Sequence, residues 1–383
     1  MSNPDGGNPV GRWSWRDLLP KKIHYRHYFG AAALILFILQ FVTGLFMIFY
    51  YEPSLAETYK TVQYFDNEVP LGALTRNLHR YGSFLLVLAA MIHLGQGYFR
   101  RDYQGRRKVV WTTGILLFMV MIAFEISGSI LPWEWKGYWI MEMFNNWLRL
   151  FPVVGETLYA FFMTSYTPTR NFVVHDIVLP LGAYVLLQWH CLANMKKRGL
   201  WANLLHQAVA TVPLLTAALV MSLLWPVPTE DPQTIPFPMD GVYIPAPEWY
   251  FVTFLMPIWY YPPRLWALFL FWIPALLFAA LFALPFLNRR LTKQERTARS
   301  ARTLKWMGIG YLFTGGLVGA ALLGGLVVGS VDSPWMGCNS CHNTSMGERM
   351  GIPPVTYKDQ ERNPLLLDSR WMLRHWYQPQ VVW

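Results

Sequence analysis

The segment LHRYGSFLLVLAAMIHLGQGYF (Leu78–Phe99) is long and apolar enough to cross a membrane as a helix, yet it contains two histidines. A spanning helix needs about 20 such residues. His79 and His93 are 14 residues apart, which on an α-helix corresponds to roughly 21 Å of rise with both side chains on nearly the same face. This spacing indicates two sites stacked through the membrane.

A second apolar segment, Val173–Ala193, carries His175 and His190 at a spacing of 15 residues. One predicted crossing separates the two segments, so both run in the same direction. His79 is therefore predicted to lie level with His175, and His93 level with His190. Two stacked pairs of facing imidazoles match two bis-histidine haems b. The alternative is four core histidines bonded to their neighbours, which two matched pairs disfavour.

Glycines repeat with the same period on two other apolar segments. Gly30 and Gly44 are 14 residues apart, and so are Gly114 and Gly128. Glycine lets a flat macrocycle approach a helix backbone, so the shared period favours packing against haem. Ordinary packing through small residues is the alternative.

Only 14% of the 383 residues are charged and 54% are hydrophobic, which excludes a soluble globular enzyme. We predict an all-α polytopic membrane bundle of about seven helices, with a four-helix bis-haem b core and a short extramembrane c-type haem tail. The predicted spans A to G are Tyr28–Tyr50, Leu78–Phe99, Trp111–Leu131, Val173–Ala193, Leu204–Trp225, Leu265–Leu287 and Met307–Val331.

The basic residues predict the orientation. The N-terminus and the B–C, D–E and F–G connections hold 20 of the 32 Lys and Arg residues, and the opposite connections hold 7. By the positive-inside rule the N-terminus is cytoplasmic, so seven crossings place the tail from Asp332 on the outer side. The basic run Asn288–Lys305 is then a solvated loop, and no nucleic-acid partner is predicted.

Five motifs resemble the cytochrome b subunit of quinol:cytochrome oxidoreductases. They are NLHRYGS (Asn77–Ser83), GSILPWEWKGYW (Gly128–Trp139), FPVVG (Phe151–Gly155), TPTRNFVVHD (Thr167–Asp176) and PEWY (Pro247–Tyr250). The 15-residue histidine step is similar to the cytochrome b6 branch, with spans E–G similar to its subunit IV. The implied regions are 1–27 (cytoplasmic segment), 28–200 (haem b domain), 201–331 (subunit IV-like) and 332–383 (periplasmic tail).

The resemblance implies a quinol:cytochrome c oxidoreductase subunit in a bacterial inner membrane, within a dimeric complex embedded in lipid. Quinol would be oxidised at an outer-face site, with one electron passing to a Rieske iron–sulfur protein. The other would pass through both haems b to quinone at an inner-face site, with proton translocation. Glu248 would accept a proton from quinol, Pro247, Trp249 and Tyr250 would shape the loop, and Arg80 and Arg107 would pair with haem propionates.

The chain departs from the family pattern at several positions. Ser129 stands where many members have a tyrosine, and Tyr28 where the b6 branch has a cysteine for an extra covalent haem, so no such haem is expected. Cys191 matches no attachment motif and is predicted to be a core thiol. Glu125 is an acid inside span C; it either relays protons from the quinol site or makes a structural hydrogen bond.

The tail contains CNSCH (Cys338–His342), the attachment signal of a c-type haem. Cys338 and Cys341 would hold the haem and His342 would be its proximal ligand; a redox dithiol or half a zinc site is the alternative. The distal candidates are Met336, Met346, Met350, Met372 and His375. We favour His375, which lies far enough along the chain to fold back. This haem would pass electrons to a periplasmic cytochrome c or another cytochrome subunit.

The sequence disfavours two other functions. A haem b membrane anchor of a hydrogenase or formate dehydrogenase would not need the PEWY loop, and a haem-delivery protein would not need two spaced haems. The quinone stays open, because the PEWY loop is similar to members that use higher-potential quinones and the b-plus-c fusion to members that use menaquinone.

Overall fold

The computed structural model describes residues 25–104, 107–134, 137, 140–141, 144, 147–162, 167–197, 199–227, 250–251, 265 and 267–287. All regular secondary structure in these residues is helical, which confirms the predicted all-α class. The helices are α1 (Tyr25–Ile48), α2 (Thr58–Asn67), α3 (Gly72–Phe99), α4 (Lys108–Ile130), α5 (Gly155–Phe162), α6 (Thr167–Lys197), α7 (Leu200–Leu224) and α8, which starts with a π-helical turn at Leu268–Trp272 and continues as Ile273–Leu287.

Six of these helices, α1, α3, α4, α6, α7 and α8, are long and apolar enough to cross a membrane. They correspond to predicted spans A to F, and span G lies outside the described residues. Both α3 and α6 begin six residues before the predicted spans, because hydropathy detects the apolar part of a helix and misses its polar first turns. The short helices α2 and α5 were not predicted.

The transmembrane helices pack in two pairs, α1 against α3 and α4 against α6. A buried cluster containing Ala32 and Leu36 of α1, Val87 and Ala89 of α3, and Met121 of α4 fills the space between the first pair and α4. The alanines allow close approach of the backbones, as is usual where membrane helices meet. Helix α7 packs on α1 and α3, and α8 packs on α4. This arrangement puts the four predicted histidines in the interior of one bundle.

The end of α7 is fastened to the start of α3. Buried Asn77 donates from Nδ2 to the carbonyl of Ser222 at 3.1 Å and accepts from the amide of Val227 at 3.0 Å. Arg76 donates to the carbonyl of Val227 at 2.8 Å. The last carbonyls of a helix have no partner within it, so Asn77 both caps α7 and fixes where the next connection begins.

Replacing Asn77 by alanine should therefore lower stability. It leaves the Ser222 carbonyl and the Val227 amide without their partner, and each such buried group costs about 1–3 kcal/mol. We expect a clearly lower thermal midpoint for Asn77→Ala in detergent. Asn67→Ala is the matched control, because Asn67 makes its bond to Gln63 on the exposed face of α2. Equal midpoints for the two variants would contradict the role given to Asn77.

Candidate functional site

The four histidines form two pairs, each with one ring from α3 and one from α6. The ring centres of His79 and His175 are 6.4 Å apart, and those of His93 and His190 are 6.2 Å apart. We call these the outer pair and the inner pair, after the predicted orientation. The structure thus brings together the residues that the sequence paired, at two levels of the same bundle.

The separation of the rings fits a metal held between two imidazoles. An imidazole nitrogen lies roughly 1 Å from the ring centre and binds a metal at about 2 Å, so a ring–metal–ring arrangement needs ring centres roughly 6 Å apart. Both pairs have this spacing. The residues present therefore fit bis-histidine ligation at both levels.

In the outer pair, the hydrogen bonds determine which ring nitrogen faces the partner. Thr43 Oγ1 donates its proton to the carbonyl of Leu39 at 2.7 Å, so it must accept the proton of His79 Nδ1 at 2.8 Å. His175 behaves in the same way with Ser127, whose hydroxyl donates to Ala123 at 2.6 Å and contacts Nδ1 at 2.8 Å. Because Nδ1 carries the proton in both rings, Nε2 has the lone pair that a metal needs.

The inner pair uses the backbone for the same purpose on one side. His190 Nδ1 lies 2.9 Å from the carbonyl of Val110, which can only accept, so this nitrogen is also the donor. The Thr113 hydroxyl lies 3.3 Å from the same nitrogen. Sequence reasoning missed the hydroxyl partners Thr43, Thr113 and Ser127. The signal was present, since each of them directly precedes one of the period-14 glycines.

Each of these glycines faces a histidine ring. An added Cβ would lie 2.7 Å from His93 Cε1 at Gly30, 3.3 Å from His79 Cε1 at Gly44, 2.9 Å from His190 Cε1 at Gly114 and 2.8 Å from His175 Cε1 at Gly128. The glycines therefore make room for the imidazoles themselves, which is a more specific reason for the repeat than access for a macrocycle.

Both α6 histidines lie in π-helical turns, at Val174–Val178 and Gln188–Leu192. A π-turn takes one residue more than an α-turn and is frequent at functional sites. These π-turns accommodate the extra residue of the 15-residue step. His175 and His190 therefore both lie on the face of α6 that is directed toward His79 and His93 on α3. No sequence signal for these turns was identified.

One cavity of about 1200 Å³ is lined by all four histidines and all four glycines. The two predicted propionate partners lie at different levels on it. Arg80 donates to Ser129 Oγ at 3.3 Å beside the outer pair. Arg107 is half exposed and forms an ion pair with Asp102, which also lies 3.5 Å from Arg100. Both arginines line the cavity, so each is placed to contact a ligand bound there.

The predicted quinol loop is represented by its last residue. Tyr250 reaches α4, where its hydroxyl donates to Glu125 Oε2 at 2.5 Å. Pro247, Glu248 and Trp249 lie outside the described residues, and so do the predicted haem c residues Cys338, Cys341, His342 and His375. The sequence left open whether Glu125 relays protons or makes a structural hydrogen bond, and the structure shows a hydrogen bond from Tyr250 to it.

Residues 15–199 match the family described as Cytochrome b/b6/petB. Cytochrome b6 of Prochlorothrix hollandica is 32% identical over 187 residues, which are 48% of this chain and 84% of that protein. Cytochrome b6 of Synechocystis sp. is 33% identical with the same coverage. Among solved structures, a hyperthermophilic respiratory Complex III superposes with a TM-score of 0.60 over 94% of this chain and 91% of that chain. At 20% identity, this likeness concerns the fold.

The contact between Gly128 and His175 predicts a sharp effect of one methyl group. Gly128→Ala puts a Cβ 2.8 Å from His175 Cε1, so the ring must leave its position opposite His79. We expect loss or marked spectral change of one haem b in the purified protein. Gly182→Ala on α6 is the control, because nothing lies within 4 Å of its added Cβ. Unchanged haem content and spectra in Gly128→Ala would contradict this reading of the glycine.

Proposed function

The chain belongs to the cytochrome b/b6 family, and we propose that it is the cytochrome b subunit of a bacterial bc-type complex that oxidises quinol. It is an integral membrane protein. The observation that carries the proposal is the stacking of two imidazole pairs, with ring centres 6.4 and 6.2 Å apart, in one bundle. One pair would suffice to hold a single haem, whereas two levels suit transfer across the membrane.

The residues that would hold the two haems b are His79 with His175 and His93 with His190. When bound, each haem b supplies a one-electron carrier, so that the two together connect quinol oxidation at the outer face with quinone reduction at the inner face. The protein contributes the orientation of the ligands. On α3 the two ligands are separated by 14 residues, roughly 21 Å of rise.

Quinol oxidation needs a proton acceptor beside an apolar pocket. In this proposal Glu248 is that acceptor, and Pro247, Trp249 and Tyr250 shape the loop around it. The position of Tyr250 supports this role. It contacts Glu125 on α4, three residues before Gly128, and therefore lies close to the outer pair. Of the two electrons of quinol, one would pass through the two haems b and the other to a Rieske iron–sulfur protein. Quinol oxidation would release protons at the outer face and quinone reduction would take them up at the inner face, so that protons are translocated.

The finer assignments complete the proposal. The N-terminus is cytoplasmic and the tail periplasmic. The haem b domain begins at residue 28, the subunit IV-like region at residue 201 and the tail at residue 332. The tail would hold a haem c through Cys338 and Cys341, with His342 and His375 as iron ligands, and would reduce a periplasmic cytochrome. The complex is proposed to act as a dimer in the bacterial inner membrane.

Single histidine substitutions test the pairing. His79→Leu or His175→Leu should remove the outer haem b, and His93→Leu or His190→Leu the inner one, because each pair would then offer one imidazole instead of two to hold the haem. Each variant should keep the covalent haem. The measurement is a redox titration of the purified complex followed by difference spectra. Two intact haems b in any single variant would show that the pairs are wrongly assigned.

The proton acceptor is tested by Glu248→Gln. An amide of the same size cannot take the proton, so quinol oxidation should slow by about 10²-fold or more while the haem spectra stay unchanged. In the wild type the rate should rise as pH increases through the pKa of the carboxyl, and this rise should vanish in the variant. Wild-type rates in Glu248→Gln across the pH range would exclude it as the base.

A further inference from the structure

Four polar side chains meet where α3 packs on α4, and Tyr250 joins them from the loop. Arg80 Nη1 donates to Ser129 Oγ at 3.3 Å, and Ser83 Oγ lies 3.3 Å from Glu125 Oε2. Arg80 and Ser83 are one turn apart on α3, and Glu125 and Ser129 are one turn apart on α4. We call these five residues the polar ladder.

The hydrogen bond between Tyr250 and Glu125 is the strongest member of the polar ladder by distance. The 2.5 Å contact is in the range of bonds from a hydroxyl to a carboxylate. Ser83 has one hydroxyl proton and two acceptors within reach. The carbonyl of Arg80, at 2.8 Å, is closer than the carboxyl oxygen of Glu125, at 3.3 Å, so Ser83 donates mainly to the carbonyl. Tyr250 is therefore the main donor to the buried carboxyl of Glu125.

Tyr250 is suited to remain a donor. Burial, followed by the nearby Glu125 carboxyl, raises the pKa of Tyr250 well above its ordinary value. The hydroxyl consequently keeps its proton over the whole range in which the complex could work. The Tyr250 ring packs on the cluster between α1, α3 and α4 and lies 6.2 Å from the ring of Phe84, so both ends of the side chain are held.

The polar ladder lies directly beside the outer pair. Arg80 follows His79 on α3, and Glu125 lies three residues before Gly128, which faces His175. Arg80, Ser83, Glu125 and Ser129 all line the cavity that contains the outer pair. Among the described residues, the charged group that acts on Glu125 besides Tyr250 is Arg80, and Ser83 adds a hydroxyl.

Glu125 and Ser129 were both singled out from the sequence as departures from the pattern of the family that the chain resembles. They are four residues apart and thus on the same face of the helix. Where relatives have an aromatic ring, this chain has a small hydroxyl residue bound to Arg80. An acid one turn away binds the tyrosine of the loop. The two departures therefore belong to one arrangement.

We propose that Glu125 is a positioning residue of the quinol-oxidation site, which accepts the hydroxyl hydrogen bond of Tyr250 and thereby holds this last residue of the PEWY motif against α3 and α4. The inference rests on the function proposed above. It separates two carboxyl groups by role: Glu248 exchanges the proton of quinol, and Glu125 fixes Tyr250, two residues after Glu248 in the sequence.

The test compares Glu125→Gln, Glu125→Leu, Tyr250→Phe and the Leu/Phe double variant in the purified complex. Gln keeps an acceptor for Tyr250, whereas Leu removes it. We expect Glu125→Gln within about threefold of wild-type kcat and Glu125→Leu about tenfold to hundredfold lower, as for a buried donor left without its partner. The double variant should be no slower than the slower single variant, because both remove the same bond.

Two further readouts separate positioning from general damage. The pH dependence of the residual rate should keep the wild-type midpoint in Glu125→Leu, because the base is unchanged, and both haems b should be spectrally intact. Thr211→Val removes a buried intramembrane hydroxyl on α7 whose bond among the described residues is to the carbonyl of Gln207 in its own helix, at 2.8 Å, and should keep wild-type turnover.

Several results would overturn the inference. Wild-type turnover in Glu125→Leu would do so, as would multiplicative losses in the double variant. A Glu125→Gln variant as slow as Glu125→Leu, with a shifted pH midpoint, would make Glu125 a proton acceptor instead. If the wild-type complex itself does not oxidise quinol, the proposed function fails together with this inference, which distinguishes that case from failure of the inference alone.

Discussion

A histidine inside the apolar phase has two ring nitrogens that each need a partner, and no water is available there to provide a hydrogen bond. For His79 and His175 the protein uses hydroxyls 2.8 Å from Nδ1, each of which already donates within its own helix. Such a hydroxyl can only accept, so the proton is fixed on Nδ1 and the lone pair on Nε2. A buried polar group left without a partner costs about 1–3 kcal/mol, so this choice strongly favours one orientation of each ring.

The packing of the bundle follows from that constraint. The hydroxyl beside a ring must come from the neighbouring helix, so α1 must approach α3, and α4 must approach α6. The residue after the hydroxyl faces the ring as well, and any Cβ there would lie 3.3 Å from His79 or 2.8 Å from His175. Glycine is the residue that permits this approach. Ligand orientation and helix packing are therefore consequences of the same dipeptides, Thr43-Gly44 and Ser127-Gly128.

Periodicity was sufficient to predict spans A to F and the pairing of histidines, because both depend on the regular rise and rotation of a helix. It failed where the backbone departs from that regularity. The π-turns that contain His175 and His190 leave no mark in composition, although they reconcile a 15-residue step with a 14-residue one. Contacts between distant segments were equally out of reach. The bond from Tyr250 to Glu125 joins residues 125 positions apart, and the sequence named no partner for Glu125.

The two levels of the bundle are built differently on the same plan. At the outer level both rings donate to side-chain hydroxyls, Thr43 and Ser127. At the inner level His190 Nδ1 lies 2.9 Å from the backbone carbonyl of Val110 and 3.3 Å from the Thr113 hydroxyl, and the glycine facing His93 is preceded by Phe29, which has no hydroxyl. A carbonyl cannot be changed by substitution, whereas a hydroxyl can. Side-chain hydroxyls therefore contribute to the orientation of His190 and of both rings at the outer level, where the polar ladder also lies.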